Sequence, residues 1–377
     1  MEQLSIGEKS LFFDPTTHNL NELTSYLPKD QNTTDPYLDA RLQLSKCPYF
    51  VFINLATASD LTYLDKIRKV IKFRWRKSNK TYVVFNFTYE DGISQTDFDR
   101  LLKITRLVPQ ERKLVLLNSS AQWQDKGSTK FRHKTQYIDL FAISAVQREL
   151  NGMPVCTMPV VEREPNINLL LGRVGKNKRT EVLYEFWKQQ LLDNSVMGLL
   201  GSSSDLAFNK SLPETIEKLF LEAIEPHWGP ADSVSVPDYD PSTSQGYSND
   251  TYKIYNNSCV SYICETWEYT QPMQHTFITE KTYRAILNRS PFVIQGTNGI
   301  LHDLKTKGFH TFEKFIKENY QGNVRATVEA ANKLREMVKL YPEEIQEIVD
   351  HNYRVLHKIN RKQIQQMNRA FAELKDN

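Results

Sequence analysis

The sequence is poor in the features that would place it at a glance. Its four cysteines, Cys47, Cys156, Cys259 and Cys264, are scattered without a Cys-x-x-Cys pair. That argues against a disulfide framework and a structural zinc site, and fits a reducing, cytoplasmic compartment, which for a viral protein is the host's. No apolar run approaches the roughly 20 residues that cross a bilayer. Met1 to Pro15 lacks the basic-then-apolar pattern of a secretion signal. The expectation is a protein without a membrane partner. Charge of one sign is missing too: 48 Lys and Arg face 45 Asp and Glu, a net +3. A polyanion would have to be held by a local patch. There is no internal repeat, and no Walker GxxxxGK[ST] loop.

What is present is an ordinary globular balance, 40% hydrophobic and 25% charged over 377 residues. At roughly 150 residues per domain, that length predicts two domains. Residues 1–45 are polar, with turn signals at Asp14-Pro15 and Asp35-Pro36, and read as an irregular opening segment. A pattern then begins. Tyr49–Leu55, Thr81–Phe87 and Lys113–Leu117 are short apolar runs, as in strands buried on both faces. Asp60–Lys77, with Leu64, Ile67 and Ile71 on one face, and Thr96–Leu107 have helical spacing. Strands alternating with helices predict a parallel sheet.

A linker marked by Pro154, Pro159 and Pro165 follows, with the domain boundary expected near Pro165. Strand and helix restart at Asn168–Leu171 and Arg179–Leu192. Pro213–Ile224 suits a helix. The Pro-, Ser- and Asp-rich stretch from Pro226 to Asp250 reads as a long loop, of a length usually functional or disordered. Tyr252–Glu265 is apolar and β-branched enough for a strand, and Phe292–Gln295 for another. The tail from Val324 to Leu374 reads as three helices, broken at Pro342 and near Asn360. The expected organisation is α/β in tandem: residues 1–165, residues 166–323, and a helical tail at 324–377.

The most informative stretch is Phe277–Phe309, FITEKTYRAILNRSPFVIQGTNGILHDLKTKGF. Thr279 suits the cap of an apolar-periodic helix running to Arg289. The first-turn amides of such a helix are unpaired and favour an anion such as a diphosphate. Lys281 adds a point charge for the same phosphates. Glu280 is suited to accept hydrogen bonds from two ribose hydroxyls. The turn Gly296-Thr297-Asn298-Gly299 follows the next strand, at the end where open α/β sheets collect ligands. Thr279-Glu280 is also how an ordinary helix starts, since Glu is favoured in any first turn.

This pattern, an E-T segment, then I-T-E-K-x-Y-R-A, then a small residue with P-F-V running to Gly, resembles the donor-site signature of the α-1,3-fucosyltransferases. It is closer still to a group of phage and bacterial glycosyltransferases. The match covers Ser258–Phe312, about a seventh of the chain. The resemblance implies two Rossmann-like parallel-sheet domains of the GT-B type and a nucleotide-sugar donor held by the second. It implies that Glu280 binds the ribose and Lys281 the diphosphate. The Glu of the family's F-E-N-S corresponds to Glu265, which the resemblance implies is a further donor-binding residue beside Thr279 and Gly296. Here Thr266-Trp267 replaces Asn-Ser, which leaves fucose, and the base, undetermined.

Other residues are candidates around that site. Gly172–Arg179 (GRVGKNKR) carries two glycines and four basic residues before a helix. Arg173 and Arg179 suit a second phosphate contact there, although a solvated basic turn has the same composition. An inverting transferase needs a base to deprotonate the acceptor hydroxyl. Glu90 and Asp91, after the strand at Thr81–Phe87, suit that role, as does a plain Asp-Gly turn. Asn118-Ser119-Ser120 ends the third strand as a cleft lining or a turn. Arg68, Lys72 and Arg76 share one helical face, with Trp75 nearby. They form a solvated outer face or a phosphate-backbone contact for a DNA acceptor. Trp267, Tyr269 and His275 suit stacking on the donor or capping of the sheet edge. Asp238-Tyr239-Asp240 spells Asp-x-Asp but lies in the Pro/Ser-rich loop and not after a strand, so no metal and no other cofactor is expected.

The expected activity is therefore transfer of a sugar from a nucleotide sugar to a hydroxyl acceptor, either a glycan or a hydroxymethylated base in phage DNA. The chief alternative is a non-catalytic nucleic-acid- or glycan-binding protein of the same fold, which would not cleave the donor. A weaker one is an epimerase-like enzyme needing no second substrate.

Overall fold

A computed structural model describes residues 10–13, 50–54, 82–87, 113–118, 135–150, 152–173, 179–200, 213–227, 251–265, 278–320 and 322–375, with Lys103, Thr105, Arg106, Leu206 and Thr276. The chain divides into two compact units, Met1–Leu140 with Arg361–Asn377, and Phe141–Asn360.

The first unit holds β1 (Ser10–Phe13), β2 (Phe50–Asn54), β3 (Tyr82–Phe87), β4 (Lys113–Asn118) and β5 (Thr135–Ile138). They form one parallel sheet in chain order. Parallel neighbours need long crossovers, and the intervals between these strands leave room for them. β2, β3 and β4 lie where apolar runs predicted strands. β1 interrupts the segment expected to be irregular, and β5 was not foreseen. Both are only four residues long, too short for periodicity to distinguish from a turn.

The second unit is α/β throughout. After α1 (Leu140–Leu150) come β6 (Ile167–Arg173), α2 (Arg179–Lys188), β7 (Ser195–Leu200) and α3 (Glu214–Ile224). Next are α4 (Thr251–Asn256), β8 (Val260–Cys264), α5 (Glu280–Leu287) and β9 (Phe292–Gln295). The chain closes with α6 (Ile300–Thr306), α7 (Val324–Leu340) and α8 (Pro342–Lys375), whose end, from Arg361, belongs to the first unit. The sheet is parallel, ordered β7-β6-β8-β9. The chain leaves β6 toward one edge and returns at β8 toward the other. The carboxyl ends of β6 and β8 therefore flank a topological switch point, where ligands bind in open α/β sheets.

Every residue of β8 and β9 is buried, as befits a parallel sheet covered on both faces. Phe186 of α2 stands edge-on to Tyr262 at 5.3 Å, and Phe312 to Phe292 at 5.3 Å. At the amino-terminal edge, Asn168, Ser258, Ser261 and Ser290 bond to one another. Asn168 Nδ2 donates to the Ser258 and Ser261 hydroxyls at 2.9 and 2.8 Å, and Ser261 meets the Ser290 hydroxyl at 2.7 Å. Cys156, Cys259 and Cys264 are buried free thiols, and burial pushes Cys259 up to about 11.

Two expectations for elements fail. Tyr252–Glu265 is not one strand: α4 occupies its first part and β8 its second. The Ser258 hydroxyl donates to Ile254 O at 2.7 Å and closes the helix end. The tail does not break near Asn360, because α8 is continuous from Pro342 to Lys375. The buried stripe Ile345, Val349, Asn352, Leu356, Asn360, Ile364 runs on at helical spacing, with asparagines at two of its positions. Asn352 is bonded both ways to the backbone of His310, accepting from its N at 2.7 Å and donating to its O at 2.8 Å. A polar residue in a core stripe reads as a break when its partner lies on a distant segment.

Candidate donor site

The site grows from one buried carboxylate. Glu265 follows β8, and its amide continues the ladder by donating to Gln295 O at 2.9 Å. Its side chain is fully buried, and a buried charge persists only when paired and hydrogen-bonded. Its partners all lie in the opening turn of α5. Oε1 accepts from Thr279 N at 3.1 Å and Thr282 Oγ1 at 2.6 Å, and Oε2 accepts from Thr279 Oγ1 at 2.5 Å. Lys281 Nζ stands 3.9 Å from the same Oε2. Glu265 thus clamps the helix start to the end of β8.

Thr279 caps α5 as the sequence predicts. It has extended backbone angles, and its Oγ1 accepts from Lys281 N at 3.4 Å. The amides of Glu280 and Thr282 have no acceptor among the described residues. The Glu280 side chain is half-buried and makes no bond to any described residue. Lys281 is 22% exposed. The two acids therefore differ in kind: Glu265 is committed on both oxygens, and Glu280 offers a carboxylate with none committed.

The turn after β9 backs this helix start. A Cβ on Gly296 would sit 3.3 Å from Ile300 Cδ1 and 3.4 Å from Glu265 Cβ, so the turn lies against the carboxylate's own stem. Gly299 has φ +91°, a left-handed conformation that favours glycine. A Cβ there would lie 3.5 Å from Thr276 Cγ2, against the segment leading into α5. Between the two glycines, Thr297 is 2% exposed, and its hydroxyl has no partner among the described residues. Gln295 is fully buried; its Oε1 accepts from Thr327 Oγ1 of α7 at 2.8 Å, while its Nε2 has no such partner. Sequence reasoning singled out Gly296, named Thr297 only as part of its turn, and read Gln295 as the end of a strand, whose place at the carboxyl end was the only signal.

No protein-family model and no curated protein matches the chain. Solved structures resemble it distantly. The alpha,alpha-trehalose-phosphate synthase (UDP-forming) from Burkholderia vietnamiensis gives a TM-score of 0.43 at 11% identity, over 95% of this chain and 81% of that one. The alpha,alpha-trehalose 6-phosphate synthase from Burkholderia multivorans gives 0.41 at 10% identity, over 92% and 78%. T4 phage BGT, solved with UDP and Mn2+, gives 0.39 at 12% identity, over 87% and 83%.

The remaining sequence candidates fall as follows. Arg173 ends β6, paired in register with Leu200 beyond a bulge at Leu170/Gly172, and Arg179 opens α2 and is buried. Both therefore belong to the β6 side of the switch point, with Glu265 and α5 on the β8 side. Glu90, Asp91, Arg68, Lys72, Arg76, Trp267, Tyr269, His275, Asp238 and Asp240 lie outside the described residues. Among the described residues no three His, Cys, Asp or Glu side chains group as a metal site, and no helix is long and apolar enough to cross a membrane.

Proposed function

We propose that the chain is a nucleotide-sugar-dependent glycosyltransferase of the GT-B type whose donor lies at the amino terminus of α5. One observation carries this reading. At the switch point of a parallel sheet, a buried carboxylate holds the start of a helix in which the Glu280 and Thr282 amides have no acceptor among the described residues, beside the Glu280 carboxylate and Lys281. A helix N-terminus with a cation suits an anionic diphosphate, and an acceptor-only carboxylate suits a ribose diol. The resemblance of Ser258–Phe312 to fucosyltransferase and phage glycosyltransferase motifs supports the same roles.

In this reading residues 166–323 form the donor-binding domain and residues 1–165 the acceptor-side domain. An acceptor hydroxyl, of a glycan or of a hydroxymethylated DNA base, attacks the anomeric carbon. The bond from that carbon to the diphosphate oxygen breaks, and the diphosphate leaves with the electron pair. Its charge is met by the α5 amides, Lys281, and Arg173 or Arg179, as preorganised donors meet developing charge elsewhere, with no metal. If the reaction inverts configuration, the hydroxyl proton passes to Glu90 or Asp91. Glu265 acts through the helix it holds and does not touch the donor. Arg68, Lys72 and Arg76 are the contacts available to a DNA acceptor.

The test is a thermal-shift and calorimetry panel of UDP-, GDP-, ADP- and CMP-sugars. A ligand that binds only the native state raises its midpoint. At least one donor binds, and both Glu280→Ala and Lys281→Ala lose most of that affinity with the fold intact. Wild-type affinity in both variants refutes the site.

A further inference from the structure

Some buried polar groups of the second unit are satisfied within the fold and some are not. At the amino-terminal edge, Asn168, Ser258, Ser261 and Ser290 satisfy one another. At the carboxyl edge, Thr297 Oγ1 and Gln295 Nε2 are buried and lack a partner among the described residues. Leaving a buried donor unpaired is destabilising, and a bound ligand that pairs with it relieves that cost. Arg163 Nη1 is likewise unpartnered among the described residues, so position decides what each group serves. Their position narrows the choice. The turn that carries Thr297 lies against Glu265 through Gly296 and against the approach to α5 through Gly299. Glu265 in turn holds Thr279 and Thr282 at the start of α5.

We infer that the Thr297 hydroxyl contacts an oxygen atom of the bound glycosyl diphosphate, with the Gln295 amide as a second neutral donor on the strand that leads into the same turn. The inference rests on the donor-site reading above. A hydroxyl and a primary amide are neutral donors. They suit a phosphate oxygen or a sugar hydroxyl, and they would complement Lys281 without adding charge.

The probe is whichever of UDP-glucose, GDP-mannose, ADP-glucose or CMP-sialic acid shifts the wild-type midpoint most, tested beside its own nucleotide without the sugar. Thr297→Val keeps the shape and removes the hydroxyl. It leaves the ligand-free melting midpoint unchanged or raised, because an unpaired polar group has gone, and weakens the sugar nucleotide about tenfold. Thr297→Ser restores affinity. Equal weakening of the nucleotide without sugar assigns the contact to a phosphate oxygen, and weakening of the sugar nucleotide alone assigns it to a sugar hydroxyl. Wild-type affinity in Thr297→Val overturns this inference only. So does a lowered ligand-free midpoint with unchanged affinity, which would mean that the hydroxyl serves the fold. If the wild type binds no nucleotide sugar, the donor-site reading falls and this inference with it.

Discussion

Replacing Glu265 tests the clamp most directly. Glu265→Ala removes the acceptor for Thr279 N, Thr279 Oγ1 and Thr282 Oγ1, and the counter-charge 3.9 Å from Lys281 Nζ. Hydrogen bonds to a charged group contribute about 1.5–3 kcal/mol each. Three on one carboxylate do not add independently, and the buried charge itself costs free energy to desolvate. Removing one partner of a buried charged network costs about 3–5 kcal/mol. Against the total of about 5–15 kcal/mol for a domain, that is a large fraction. Glu265→Gln should cost less, about 1–2 kcal/mol, since one oxygen still accepts while the new amide nitrogen can only donate where Oε2 accepted.

Urea unfolding measures the total, and amide hydrogen exchange locates it. In Glu265→Ala the amides of Thr279 to Tyr283 should lose protection before the rest of the sheet does. The competing idea, that Glu265 is itself a donor contact, predicts the reverse. Ligand-free stability and exchange at α5 would then match wild type, and only affinity would fall. That outcome refutes the clamp.

Two further results are expected. Gly296→Ala places a methyl 3.3 Å from Ile300 Cδ1 and 3.4 Å from Glu265 Cβ, and it should destabilise by about 1–2 kcal/mol through overpacking; an unchanged urea midpoint would show that the turn gives way freely. Glu149 sets an acid limit on the second unit. Burial raises its carboxyl, but hydrogen bonds from His357 and Tyr353 and the nearby charges of His357 and Arg289 outweigh this and hold it below the usual range. A depressed folded value means stability present above the unfolded pKa of roughly 4.3 and lost as pH falls through the folded one. Glu149→Gln should therefore be less stable at pH 7 and lose that deficit on acidification below about pH 4.5. A deficit independent of pH would refute the argument.

Much of the second unit was legible because local signals agreed there. Phe292–Gln295 is a short apolar run that became β9, and Thr279 is a capping residue before an apolar-periodic helix that became α5. What was illegible depends on residues far apart in the chain. Glu265 looks like any acid after a strand. Its role follows from Thr279 and Thr282, 14 and 17 residues on, whose hydroxyls face it only once α5 packs beside β8. Asn360 reads as a helix break until the stripe it shares with Ile345, Asn352 and Leu356 is buried.

The clamp also bears on how an anion site can contain a buried acid. The charge of Glu265 opposes that of Lys281, so the pair lends a diphosphate less attraction than the lysine alone would. What the acid supplies is position. Its bonds to the backbone and side chain of Thr279 and to the side chain of Thr282 hold the first turn in place, so the turn's amides need not reorganise when charge arrives. In a site of low dielectric, fixed dipoles of this kind are worth more than mobile charges. A loosened first turn with Lys281 intact should therefore bind a diphosphate worse than a fixed first turn without it. The comparison is Glu265→Ala against Lys281→Ala in calorimetry with a single nucleotide. The larger loss in Lys281→Ala would show that charge, and not preorganisation, governs the site.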